Sequence, residues 1–87
     1  MSVRVEFFGL ARKAAAIEFL DVEAPNLGAA IEVTANQIPH LAEYCFNGNR
    51  LKNGFIANIN ASRFTTDPNE KLQDGDSVLI MSADAGG

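Results

Sequence analysis

The sequence predicts an α+β domain in which a four- to five-stranded sheet carries one main helix packed on one face. Three patterns carry that expectation. An apolar residue at every second position opens the chain, a three- and four-residue apolar spacing fills its middle, and a compact apolar run lies near residue 80. A sheet and a helix each present one apolar face, and each buries it most simply against the other.

Val3-Arg4-Val5-Glu6-Phe7 alternates apolar and charged residues, the period of a strand with one buried face, until Phe8 breaks it. Gly9 to Ala16, with the basic pair Arg12-Lys13, reads as a loop. Ile17 to Val22 reads as a second strand, making an opening hairpin. Asn26 suits a helix N-cap, because its side-chain oxygen can accept from an early helical N–H. Leu27, Ala30, Ile31, Ala35 and Ile38 then share one helical face. Pro39 has no N–H and clashes with the preceding turn, which stops the helix at about Ile38.

Leu41 to Phe46 reads as a second short helical turn, and Asn47-Gly48-Asn49 and Asn53-Gly54 as chain reversals. Phe55 to Asn60 is a third strand with Phe55, Ala57 and Ile59 on one face, and Arg63-Phe64-Thr65 a short further one. Asp67-Pro68-Asn69 is a turn, and Asp74-Gly75-Asp76 turns the chain into a last strand from Ser77 to Met81. Residues 1–81 are therefore expected to form the domain. Residues 82–87, all small except Asp84 and without a packing period, are expected to form a flexible tail.

Composition narrows the function. A chain of 87 residues is one domain, and at that size only about 60–65% of the unfolded surface is buried, which leaves little core to hollow into a cleft. The net charge is −4 and the seven basic residues are scattered, so neither nucleic acid nor an anionic membrane is an expected partner. Cys45 has no second cysteine with which to form an internal disulfide. With no apolar run long enough for a membrane span and no signal-like opening, the expected location is the cytoplasm.

No catalytic constellation stands out. His40 lacks a second histidine to make a metal pair, so no metal site is expected. Cys45 lies between Tyr44 and Phe46, which suits a buried small apolar residue better than a reactive thiol. Asp74 and Asp76 flank Gly75 as turn formers do. Arg12 and Lys13 could grip an acidic partner or simply be solvated. Ala85-Gly86-Gly87 is different in kind. Glycine has no Cβ, so a diglycine segment can thread a channel too narrow for other residues. A carboxylate at Gly87 would be exposed but inert until converted to a better leaving group.

The strand and helix order, the Asp74-Gly75-Asp76-x-Val78 turn and Ala85-Gly86-Gly87 resemble the ubiquitin-like β-grasp sulfur carriers. Within them, Val5-x-Phe7-Phe8-Gly9-x-Ala11-Arg12, Asn60 and Leu72 are similar to the small subunit of molybdopterin synthase. The resemblance covers essentially the whole chain and implies a mixed sheet. It also implies a carrier without catalytic residues or bound cofactor. An adenylating enzyme similar to ubiquitin-activating enzymes would use ATP to activate Gly87, which then becomes a thiocarboxylate. Ala85 and Gly86 would thread into the large subunit of molybdopterin synthase, where sulfur passes to the pterin precursor. Phe8, Arg12 and Met81 are the expected docking residues. Ser82-Ala83 stands where that subunit often has Pro-Pro. This leaves other acceptors open (thiamine, cysteine or tRNA thiolation), as well as a ubiquitin-like modifier of lysines. An interaction domain whose glycines are incidental is the third reading.

Overall fold

Val3, Val5 and Phe7 point inward along strand β1 (Ser2–Phe7) and are 1–4% exposed, while Arg4 between them stays in solvent. The period-two pattern thus sets the strand's orientation. The structure is a computed structural model that describes residues 1–86, with side chains described through Asp84. After β1 come α1 (Leu10–Ala15), β2 (Phe19–Glu23), α2 (Leu27–Gln37) and α3 (Pro39–Cys45). The two-residue strands β3 (Phe46–Asn47) and β4 (Arg50–Leu51), β5 (Phe55–Ile59), β6 (Arg63–Thr65), β7 (Ser77–Ser82) and α4 (Ala83–Gly86) complete the chain.

Five strands form one sheet in the order β2-β1-β7-β5-β6, and β3 pairs with β4 in a separate small hairpin. β1 and β7 are parallel, with Val5 opposite Val78 and Phe7 opposite Ile80, and every other neighbour in the sheet is antiparallel. The sheet is therefore mixed, as expected. Its inner face contributes Val3, Val5, Phe7, Val22, Ala57, Ile59, Val78 and Ile80 to the core, against Leu27, Ala30 and Ile31 of α2 and Leu41 and Cys45 of α3. Burying one such aliphatic side chain stabilises the fold by roughly 1.5–3 kcal/mol.

The Gly9–Ala16 segment is not the loop that its charges suggest. Gly9 turns the chain at φ 62°, six residues form α1, and Ala16 closes it in the left-handed conformation with its N–H donating to the Arg12 carbonyl. The physical reason lies in Leu10-Ala11 and Ala14-Ala15, which favour helix intrinsically. Ala11 and Ala15, four apart, both enter the core. Pro39 also does more than end α2. It occupies the first turn of α3, where its missing N–H has no intrahelical role.

The start of α2 is tied down at every backbone donor of its first turn. Leu27 N–H donates to the Glu70 carbonyl at 2.9 Å and Gly28 N–H to the Pro68 carbonyl at 2.8 Å. Ala29 N–H donates to Asn26 Oδ1 at 2.8 Å, and Ala30 N–H to the Asn26 carbonyl. A segment from Asp67 to Leu72 thus straps the helix, and Leu72 N–H completes it by donating to the Pro25 carbonyl. Gly28 permits the approach, since a Cβ there would sit 3.1 Å from both Pro68 Cβ and the Pro68 carbonyl oxygen.

Two substitutions, one at the N-cap of α2 and one within the helix, are expected to act in opposite directions in chemical denaturation. Asn26→Ala removes the cap and lowers stability by about 1 kcal/mol. Thr34 is fully buried and its Oγ1 has no partner among the described residues. Thr34→Val keeps the shape, relieves an unsatisfied hydroxyl and raises stability by about 1 kcal/mol.

Candidate functional site

The turn entering β7 fixes where the last strand begins. Asp74 Oδ1 accepts from Ser2 N–H at 2.8 Å, and Gly75, at φ 88°, donates to the Ser2 carbonyl. Asp76 accepts from Asn60 Nδ2 at 2.9 Å through one oxygen and from Gln73 N–H at 2.8 Å through the other. Asn60, left-handed at φ 54°, also accepts from Ser77 N–H. The Asn60 hydrogen bond, then that from Gln73, holds the Asp76 carboxyl below its ordinary value. Both acidic residues are thus turn formers that join the starts of β1 and β7 to the end of β5.

At its other end β7 runs through Ser82, and Ala83 N–H donates to the Gly54 carbonyl at 2.8 Å. The backbone of Ala83–Gly86 makes one helical turn. Ala85 and Gly86, the expected threading residues, lie in that turn, and the expected acceptor Gly87 lies outside the described residues. A recess of about 600 Å³ adjoins the root of the tail, with Arg50, Lys52, Gly54, Phe55 and Ala83 on its walls.

The sheet face turned away from the helices is the broadest candidate surface. The β1–β7 register that sets Phe7 opposite Ile80 places Phe8 beside Met81, with Ile56 across from Met81 on β5. Phe8 N–H donates to the Ile80 carbonyl at 3.0 Å, and the residue is 52% exposed. Met81, expected with Phe8 as a docking residue, is on the same face but only 8% exposed. Phe19 and Phe64, on the two edge strands, are exposed. Arg12 lies on α1 and is engaged with Glu18 at 2.9 Å. Ile56, Leu79, Glu6 and Asn58 complete this face. The strand alternation pointed Glu6 outward, but only the register shows which residues of β5 and β7 flank it.

On the same face Arg4 donates to both carboxylate oxygens of Asp21, at 2.9 and 3.2 Å, and stacks 3.9 Å above the Phe19 ring. The Asp21 hydrogen bond raises the guanidinium's pKa and lowers that of the carboxyl. Elsewhere, Cys45 is fully buried, and burial pushes its thiol up to about 11, so it is not a thiolate at neutral pH. His40 is exposed. Among the described residues no three His, Cys, Asp or Glu side chains group to hold a metal ion, and no helix is long and apolar enough to cross a membrane.

No protein-family model and no curated protein sequence matches the chain. Its structure does match solved ones. SAMP1 (small archaeal modifier protein 1) from Haloferax volcanii aligns with a TM-score of 0.83 over 100% of both chains at 18% identity. The fold is the ubiquitin-like β-grasp. A chain of the BexX/CysO complex from Amycolatopsis orientalis aligns at 0.78, with 16% identity over 98% of this chain and 99% of that one. A chain of the complex of subunits 1 and 2 of the molybdopterin-converting factor from Helicobacter pylori aligns at 0.65, with 21% identity over 94% and 93%. At these identities the likeness is one of β-grasp fold, and it extends over nearly the whole of each chain.

Two measurements check the site's chemistry. Because the folded Asp76 carboxyl is held below its ordinary value, its stabilisation is present above the unfolded carboxylate range and is lost as pH falls through the lower folded value. Asp76→Ala should therefore cost about 1 kcal/mol at pH 7, a difference from the parent that shrinks below about pH 4. In thiol-labelling kinetics at neutral pH, Cys45 should react only as fast as the protein opens, and readily once denaturant is added.

Proposed function

We propose that this protein is a sulfur carrier whose reactive group is the Gly87 carboxylate. The observation that carries the reading is the end-to-end β-grasp match on a chain whose sequence places Ala85-Gly86-Gly87 two residues beyond the end of the central strand β7. An adenylating partner docks on the domain and transfers AMP from ATP to Gly87, releasing pyrophosphate. The terminal sulfur of a persulfide then attacks the acyl carbon and AMP leaves. A second thiol frees the thiocarboxylate from the resulting acyl disulfide. Gly86, without a Cβ, passes through the narrow part of each partner's channel.

The outer sheet face around Phe8 and Met81 is the docking surface in this reading, because it sets an exposed aromatic beside the strand that leads to the tail. Arg12 lies outside that face and assists at its margin. The sulfur acceptor is the pterin precursor of molybdopterin synthesis, with the synthase large subunit as partner. The Phe7-Phe8-Gly9 opening and the likeness to the molybdopterin-converting factor complex support this. A second reading, attachment of Gly87 to lysines of other proteins, is favoured by the likeness to SAMP1, a small archaeal modifier protein.

Co-expression of the untagged chain with its adenylating partner and a sulfur source tests the carrier directly. Intact mass should first place Gly87 at the free carboxyl end and then show a gain equal to exchanging one oxygen for sulfur. Deleting Gly87 should abolish the gain. If the mass never changes in hosts competent for sulfur transfer, the carrier reading fails; lysine-linked conjugates of higher mass would select the modifier. Phe8→Ala should slow formation of the thiocarboxylate about tenfold or more with little change in stability, as expected for an exposed aromatic anchor.

A further inference from the structure

Three of the four arginines are committed to carboxylates of this chain. Arg4 meets Asp21 and Arg12 meets Glu18, each at 2.9 Å, and Arg63 meets Glu70 at 2.7 Å. Arg50 is the exception. It is exposed, and its guanidinium makes no ion pair or hydrogen bond among the described residues. With Lys52 it lines the recess of about 600 Å³ at the root of the tail. The Lys52 ammonium donates to the Glu43 carbonyl and keeps further N–H groups for another acceptor. No Asp or Glu side chain lies on the walls of this recess among the described residues, although the chain carries a net charge of −4. Asp84, next to Ala83 in the sequence, forms an ion pair with neither cation. Phe55, met edge-on by the Tyr44 ring at 5.7 Å, adds an apolar wall.

We propose that this recess receives an acidic side chain of the adenylating partner, its carboxylate gripped by Arg50 with Lys52 as a second donor. The position of the recess supplies the occupant. Ala83 is on its wall and donates its N–H to the Gly54 carbonyl, so the tail starts from a fixed point. Gly87 is four residues beyond Ala83, and an extended chain of that length reaches at most about 14 Å. A protein that takes in Gly86 and Gly87 must therefore close over the ground around Ala83. Ile56, which faces Met81 on the outer sheet face, also lines the recess and makes the two surfaces continuous. Asp and Glu are the anionic side chains that an unmodified protein presents, and a guanidinium fork matches a carboxylate with two parallel hydrogen bonds. The inference rests on the carrier reading and adds to it the chemistry of the partner's surface.

The test follows thiocarboxylate formation on the full chain by intact mass, with the adenylating partner and a sulfur source. Arg50→Glu should lower the second-order rate about tenfold or more, and the loss should shrink as salt is raised, because the pair forms at an accessible rim. Arg50→Gln, which removes the charge without reversing it, should fall between the two. Lys71→Glu, the same reversal on an exposed lysine outside the recess, should load within about twofold of the parent. Separately, the nitrogen-15-labelled chain is titrated with acetyl-Leu-Glu-Leu-amide and with its glutamine counterpart. The glutamate peptide should shift the Arg50 Nε–H and the Lys52 and Gly54 amides, and bind about fivefold or more tightly. Parental loading by Arg50→Glu, equal slowing by Lys71→Glu, no binding, equal binding of the two peptides, or shifts centred on Lys13 and His40 would each overturn the proposal. A loading parent with an indifferent Arg50→Glu variant removes this inference alone. A parent that never gains sulfur removes the carrier reading, and the titration then decides the recess by itself.

Discussion

The fold depends on the parallel pairing of β1 with β7. Parallel neighbours cannot be joined by a tight turn, so everything between Phe7 and Ser77 is the connection. Closing that loop costs entropy before any of its contacts form. The core that α2 and α3 build against Val5, Phe7, Val78 and Ile80 offsets this cost. The turn at Asp74-Gly75-Asp76 sets the register by gripping Ser2, Asn60 and Gln73. One consequence is positional: β7 lies in the interior of the sheet, between β1 and β5, and the segment carrying the glycines leaves from its end.

Polar groups on the outer face divide into two kinds. Arg4, Asp21, Asp76 and Asn60 satisfy one another or nearby backbone, and their geometry is explained by the fold alone. Glu6 and Asn58 are not used in this way, although they stand between residues that are. The apolar surface follows the same division. Met81 is buried, whereas Phe8, Phe19 and Phe64 are exposed.

Local patterns were legible where one residue type had one physical explanation. Asn26, the Leu27–Ile38 spacing and Pro39 delimited α2 because capping, periodicity and a missing N–H agree there. The alternation of β1 and the turn at Asp74-Gly75-Asp76 were legible for the same reason. In Gly9–Ala16 two signals competed: Gly9 and the basic pair suggested a loop, but burial of Ala11 and Ala15 decided for helix. β3 and β4, two residues each, carry no periodicity of their own and exist because the Asn47-Gly48-Asn49 reversal lets them pair. The outer face was legible only in part. Strand period shows which side of β1 holds Glu6, but the register that sets it beside Leu79 and Asn58 arises from contacts far apart in sequence.

The strap across α2 bears on how a nucleotide could be handled. Helix N-termini hold phosphate groups because their first N–H groups lack partners. In α2 all of those groups are already committed to Glu70, Pro68 and Asn26. A phosphate could bind there only by displacing the strap and unseating Leu72 from the core. The start of α2 therefore offers no free N–H groups to a phosphate as long as the strap is in place.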